Sequence, residues 1–285
     1  MQGKELSGCV SPQPDAQGSG LNECQVIASH TTGYNHIDLA AATEFGICAG
    51  NVSDYCTEDV AVHTVALLLD AFRRTAALDR SIRAGGWDVY AGGLQYRLRG
   101  RTHGLMSFGN IACRVSELVR PFGMEVTAYD PHVPDEVFER YGVTRAESVE
   151  ALLAASDSVS VHTPLTPQTR HMLGAEQFAA AKEGMVLVAV GRGGVIDEAA
   201  LKDALDSGRL TWAGVDVLED EVAVRSVLIG MENVTMTPHS AYYTEDSIVE
   251  VRQKAIMQVD QVLNQKQLPT YLVNTDVSDV ARFRR

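Results

Sequence analysis

The stretch Gly104-Leu-Met-Ser-Phe-Gly-Asn-Ile-Ala112, with its continuation Glu125-Val-Thr-Ala-Tyr-Asp130, decides how this chain is read. Leu105 to Phe108 is a short apolar run of the kind that forms a buried strand. Val115, Leu118, Val119 and Phe122 then recur at helical spacing, and Val126 to Tyr129 is a second apolar run that ends in Asp130. Strand, tight turn, helix, strand and acid, in that order, is the layout of a dinucleotide-binding βαβ unit. Backbone N–H groups at the helix start can hold a pyrophosphate, helped by the helix dipole. Asp130 follows Gly109 by 21 residues and can accept hydrogen bonds from ribose hydroxyls. Its charge repels a 2′-phosphate, which favours NAD over NADP. The first glycine of G-x-G-x-x-G is replaced by Ser107 and the third by Ala112. Where the first position needs positive φ, Ser107 costs about 1 kcal/mol of backbone strain.

Outward from this unit, 285 residues leave room for two domains and a large core. The net charge of −13 excludes the basic field that a nucleic-acid backbone binder needs. No apolar run reaches membrane-spanning length and no signal-peptide core opens the chain, so no membrane partner is expected. Five cysteines without CxxC or metal-ligand spacing point to reduced thiols in the cytoplasm and to no metal site. Cys113, just past the turn, reads as a small packed residue rather than a nucleophile.

Taken in order, residues 1–24 are polar and read as loosely structured. A short strand at Val26-Ile-Ala28 leads into Ser29-His-Thr-Thr-Gly-Tyr-Asn-His-Ile-Asp38 and a helix over 39–45. Gly46-Ile47 and Val52 suggest another short strand. Thr57 can cap a long helix whose Val60, Ala61, Thr64, Val65, Leu67, Leu68 and Phe72 make a broad apolar face. A face this apolar is expected between domains or at a subunit interface. Beyond Asp130, helices are read at 135–141, 149–155, 175–182 and 198–205. Strands are read at 158–162, 185–190, 212–217 and 234–237. All-apolar strands alternating with helices indicate an α/β fold with a doubly wound parallel sheet covered on both faces. A last helix over 245–264 carries Ile248, Val251, Ala255, Val259 and Val262 at helical spacing, and the tail 276–285 is polar.

Three polar sites follow strand ends, where open α/β sheets bind ligands. Gly191-Arg192-Gly193-Gly194 follows the strand at 185–190, and a flexible turn with one Arg suits a guanidinium facing a carboxylate or carbonyl. Asp216-Val-Leu-Glu-Asp-Glu221 follows the next strand, and Thr237-Pro238-His239 the last. A His beside a carboxylate keeps one ring nitrogen protonated and can serve as acid or base. Singly, Arg192 could be a surface ion pair, Glu221 a solvated acid and His239 a capped core histidine. All three after consecutive strands, in a chain with a dinucleotide turn, favour a shared site.

With those residues in view, the sequence resembles the D-2-hydroxyacid dehydrogenase family from about Val26 to Asn274. The resemblance runs through Thr32-Gly33-Tyr34-Asn35-His36-Ile37-Asp38, Leu98-Arg-Gly-Arg-Thr-His-Gly-Leu-Met-Ser-Phe-Gly109, His162-Thr163-Pro164-Leu165-Thr166, Gly191-Arg192-Gly-Gly-Val-Ile-Asp197, Asp216-Val217 with Glu221, and Thr237-Pro238-His239-Ser-Ala241. Pro238-His239-Ser-Ala-Tyr-Tyr-Thr-Glu-Asp-Ser247 and Tyr129-Asp130-Pro131 look most like the branch of the C-terminal-binding-protein corepressors and their bacterial relatives. The resemblance implies a Rossmann-type cofactor domain over 55–239, inserted into a flavodoxin-like substrate domain formed by 1–54 and 240–285. It implies NAD-linked interconversion of a small 2-oxo acid and its D-2-hydroxy acid. Arg192, Glu221 and His239 would be catalytic: Arg192 orients substrate, His239 exchanges the proton and Glu221 supports His239. Gly109, Asn110, Ile111, Asp130, Thr163, Pro164, Thr169, Val190, Gly191 and Asp216 fall where the family contacts NAD. Backbone N–H groups at Thr32 and Gly33 would bind the substrate carboxylate, and Tyr242 would line the pocket or pack as an ordinary aromatic. His162 reads as structural or near the adenine. The family is commonly a homodimer through the helix here at 57–72.

Several departures accompany the likeness. The family's substrate domain has several dozen more residues before Val26, so this one reads as truncated. Ala189-Val190 replaces the usual Asn-Thr, and Ser29 stands where a basic residue is frequent. A second reading is therefore an NAD(H)-binding regulatory or scaffold protein of the corepressor type with little turnover.

Overall fold

The computed structural model describes residues 23–34 and 36–279. The polar segment read at 1–24 lies almost wholly outside the described residues, as do Cys9, Asn35 and the basic end of the tail. Two compact units are formed, one by 1–56 with 244–285 and the other by 57–243.

The smaller unit opens with strand β1 (Val26–Ala28), helix α1 (Leu39–Glu44) and strand β2 (Cys48–Gly50). β1 and β2 pair in parallel, with Ile27 opposite Ala49. Asp38 caps α1 by accepting from the Ala41 N–H. The second strand falls at 48–50 because Ala49 and Cys48 are the fully buried positions, while Val52 is buried beyond the paired segment.

The larger unit starts with helix α2 (Thr57–Arg73), so Thr57 lies within the helix rather than capping it from outside. A helix not foreseen from periodicity, α3 (Thr75–Arg83), has no buried residue, which is why no core-facing stripe marks it. Then come β3 (Thr102–Met106), α4 (Asn110–Val119), β4 (Glu125–Tyr129), α5 (Asp135–Tyr141), β5 (Thr144–Arg145), α6 (Val149–Ala155), β6 (Ser158–Val161), α7 (Ala175–Ala180), β7 (Met185–Ala189), α8 (Glu198–Asp206), β8 (Leu210–Val215) and β9 (Val234–Met236). Seven strands form one parallel sheet in the order β5-β4-β3-β6-β7-β8-β9. β7 is buried at every position, as a strand covered on both faces must be. Each such aliphatic side chain contributes about 1.5–3 kcal/mol through burial.

Two expectations are corrected here. The apolar face of α2 packs on α4, β7 and β8 inside this unit, so its hydrophobicity is explained by the core and not by an interface. Phe122 is exposed, because α4 ends at Val119 and a 3-10 turn around Pro121 swings the chain out of helical register.

The chain returns to the smaller unit with α9 (Glu245–Leu263), capped by Thr244 and Ser247 in a reciprocal capping box. Val251, Ala255 and Val262 are buried and α9 packs on β1 and β2. Among the described residues no helix is long and apolar enough to cross a membrane, and no cluster of His, Cys, Asp and Glu could hold a metal ion.

Candidate active site

Strand order reverses between β3 and β6: the chain winds outward through β4 and β5, then restarts on the other side of β3. Ligands of open α/β sheets bind at the carboxyl ends of the strands flanking such a reversal. Here the turn after β3 and the loop after β6 meet across it, with Ser107 Oγ 3.0 Å from Thr163 Oγ1. Ser107 has φ +71°, the left-handed conformation that costs a non-glycine residue about 1 kcal/mol. The bond to Thr163 offsets part of that cost.

Gly109 is the N-cap of α4 and offers no side chain to the first-turn N–H groups, and the space where its Cβ would stand is open. Those donors are left for an anion. Asp130, half-buried at the end of β4, accepts from the Phe108 N–H through Oδ2 and from the His132 N–H through Oδ1, each at 2.9 Å. Each oxygen keeps a lone pair for a ribose hydroxyl. The loop after β6 is pinned by Thr169, whose Oγ1 donates to the Pro164 carbonyl at 2.6 Å. Open cap, bare helix start and acid together fit a dinucleotide. Asn110 is exposed, Ile111 half-buried, and Thr163 and Val190 are buried at the ends of β6 and β7.

Register brings the three polar turns to one edge. Ala189 pairs with Val215 and Val215 with Met236, so Val190, Asp216 and Thr237 are the next residues out on neighbouring strands. His239, at φ +51°, places Nδ1 2.8 Å from Glu221 Oε2, with both side chains somewhat over a third exposed. Glu221 Oε1 accepts from the Leu218 N–H at 3.3 Å, which anchors the acid. Tyr242 meets the His239 ring edge-on at 6.3 Å. Arg192 is half-buried, and its Nη1 donates to the Gly191 carbonyl. Gly193 is required beside it: a Cβ would lie 2.0 Å from the Leu218 carbonyl oxygen, the backbone that leads to Glu221.

Asp216, expected among the dinucleotide contacts, is corrected. Its side chain has no exposed surface, and its oxygens accept from Thr237 Oγ1, the Ser240 N–H at 2.9 Å and the Ala241 N–H at 3.0 Å. Its backbone carbonyl takes the His239 N–H at 2.8 Å. The carboxylate brackets the His239 loop on both sides of the imidazole. His63, one turn into α2, completes the bracket with Nε2 3.0 Å from Thr237 Oγ1 and 3.6 Å from Asp216. Nothing in the sequence pairs a helix residue with a loop so far along the chain, so this partner was not foreseen.

A second histidine group lies inside the sheet. His103 on β3 bonds Ser158 through Nδ1 at 2.9 Å and Ser160 through Nε2 at 3.0 Å, and Ser160 bonds His162 Nε2 at 2.8 Å. Burial pushes both rings down to about 3, His162 adding a smaller effect on His103. Both are therefore neutral, and the buried Nδ1 of His162 has no partner. In the smaller unit, Thr32 receives the Asn51 Nδ2 donor on its carbonyl at 2.7 Å, and the Gly33 carbonyl is held by Thr31 Oγ1. Ser29 is buried against Thr31 at 2.9 Å.

Residues 65–241 match the family described as D-isomer specific 2-hydroxyacid dehydrogenase, NAD binding domain. A D-3-phosphoglycerate dehydrogenase of Methanocaldococcus jannaschii is 37% identical over 225 residues, 78% of this chain and 42% of that protein. The chain thus spans less than half the length of that relative. A glyoxylate reductase of Korarchaeum cryptofilum is 35% identical over 263 residues, 90% of this chain and 78% of the relative. Among solved structures, D-lactate dehydrogenase from Aquifex aeolicus complexed with NAD and lactic acid superposes with a TM-score of 0.79 at 29% identity, covering 88% of this chain and 80% of the other. The chain belongs to the D-isomer specific 2-hydroxyacid dehydrogenase family, and its larger unit carries the Rossmann-type NAD-binding domain of that family.

Proposed function

We propose that this member of the family interconverts a small 2-oxo acid and its D-2-hydroxy acid in an NAD-dependent reaction. The observation that carries the reading is the 2.8 Å contact between His239 and Glu221 on the sheet edge that also bears Gly109 and Asp130. Bound NADH would supply the hydride for C2. Because Glu221 accepts from Nδ1, the transferable proton of His239 sits at Nε2, where it is given to the 2-oxo oxygen in reduction and recovered in oxidation. Arg192 orients the carboxylate and the 2-oxo oxygen, and its charge with that of the imidazolium stabilises the oxygen as it becomes negative. Thr32 and Gly33 offer backbone N–H groups to the carboxylate, and Tyr242 borders the substrate. Asn110, Ile111, Thr163, Pro164, Thr169, Val190 and Gly191 line the dinucleotide site.

The smaller unit serves as a reduced, flavodoxin-like substrate domain, and the protein works in the cytoplasm. A homodimer is proposed on the exposed apolar segment of the larger unit, where Trp87, Val89, Tyr90 and Leu94 are all at least 72% exposed. Light scattering after gel filtration tests it: a monomeric mass rejects the dimer.

The decisive experiment follows loss of NADH absorbance with glyoxylate, pyruvate and hydroxypyruvate. Turnover on at least one of them, abolished in His239→Ala, supports the reading. Saturable NADH binding without turnover on any, unchanged in His239→Ala, supports a regulatory NAD(H)-binding protein instead.

A further inference from the structure

At the amino-terminal edge of the same sheet, remote from the strand ends just described, the larger unit encloses a cavity of about 770 Å³. Arg74, Arg80, Ser81, Leu94, Leu205 and Trp212 line it. Arg74 joins α2 to α3 in a left-handed conformation, φ 56° and ψ 30°, which an arginine adopts only at a cost in strain. Its side chain is carried inward: the residue is 4% exposed, and its guanidinium lies 4.2 Å from the centre of the Trp212 ring. Gly92 passes directly over its stem, where a Cβ would come within 2.8 Å of Arg74 Cβ.

What this guanidinium lacks is a carboxylate. Among the described residues it makes one hydrogen bond, to the Ala71 carbonyl, and no salt bridge. Asp70 is near enough to act on it electrostatically, but its oxygens are engaged by Thr75, the Ala76 N–H and Thr235. Burial lowers the Arg74 pKa to about 10. Arg80 bonds only the backbone carbonyl of Glu232, at 3.0 Å. In a chain with 37 acidic and 24 basic side chains, two guanidinium groups on one cavity without an acid are conspicuous. A buried guanidinium is stable when its donors meet an anion.

We propose that this cavity binds a small organic anion, with a carboxylate or phosphate head between Arg74 and Arg80 and an apolar body against Trp212, Leu94 and Leu205. Ser81 can donate a further hydrogen bond to the head. The site is separate from the dinucleotide and substrate residues, and two elements join them. α2 runs from His63, on the His239 bracket, to the Arg74 turn, and β8 runs from Trp212 toward Asp216.

The chain has two tryptophans, so Trp87→Phe leaves Trp212 as the sole indole reporter. The probes are phenyl phosphate and benzoate, with benzyl alcohol as the uncharged control, titrated against Trp212 emission in excess NAD. At least one anion should give a saturable change, with the alcohol at least tenfold weaker. Binding should weaken at least tenfold in Arg74→Met and severalfold in Arg80→Gln, a surface change that leaves folding intact should Arg74→Met not fold. Dependence of the anion's midpoint on the head separates a phosphate ligand from a carboxylate one. The inference is overturned by the absence of a saturable change for both anions, by equal binding of the alcohol, by an unaltered Arg80→Gln midpoint, or by displacement with NAD.

Discussion

His239 sits at the rim of the sheet with a carboxylate on its Nδ1, whereas His103 and His162 sit within it against serine hydroxyls. The side chain is the same and the consequence opposite. Glu221 can balance a positive imidazolium, and partial exposure lets water and substrate reach the other nitrogen. Ser158 and Ser160 satisfy hydrogen-bonding capacity but carry no charge, so burial wins and holds the inner rings neutral. A histidine becomes an acid–base group through its partner and its access to solvent, and a structural strut when it has neither. Asp216 shows the same lesson for carboxylates: fully enclosed, it shapes the loop instead of meeting a ligand.

The largest break in this comparison should come from His239→Gln. It removes the proton donor but little packing, so kcat/KM should fall by about 10³-fold, on the order of 4 kcal/mol, while Tm stays near wild type. Steady-state kinetics with the best 2-oxo acid checks it; a loss under tenfold counts against the assignment. Glu221→Gln keeps the hydrogen bond and deletes the charge, so about a 10–100-fold loss is expected, with the acid limb of the pH–rate profile displaced.

His103→Leu inverts the pattern. Two buried serine hydroxyls lose their partner, which costs about 1–3 kcal/mol each in denaturant unfolding, while kcat is left within about twofold. A change in pH sharpens the contrast further. The inner rings titrate near 3 in the fold against 6.5 as free side chains, so the unfolded chain binds more protons between those values. Their stabilising contribution is complete above pH 6.5 and drains away as pH falls toward 3. The stability gap between wild type and His103→Gln should therefore shrink on acidification, as Tm measured across pH will show. The smallest effect is Ser160→Ala, about 1 kcal/mol and no change in turnover.

Particular residues show how far sequence reasoning reached. The βαβ unit was legible because its strands are continuous apolar runs, and because the acid lies a helix and a strand beyond Gly109. Ser107 was identified as a strained position before its φ was known, since the turn imposes that conformation whatever residue occupies it. The polar turns after β7, β8 and β9 were legible as strand-end sites. The fate of the apolar face of α2 was not, because periodicity reveals that a face is buried and not what covers it. Nor was α3, whose lack of buried residues leaves no pattern to detect.

The sequence by itself determined local matters: which segments become strands or helices, which turn must take a left-handed residue, and which chemistry the side chains at strand ends can offer. Only tertiary structure decided the pairings: His63 with Thr237, Asp216 with the His239 loop, Ser107 with Thr163, and Arg74 with Trp212. The physical reason is that a residue's type and neighbours fix its local conformation, whereas charge state and role depend on burial and on partners that strand order and register bring from distant parts of the chain.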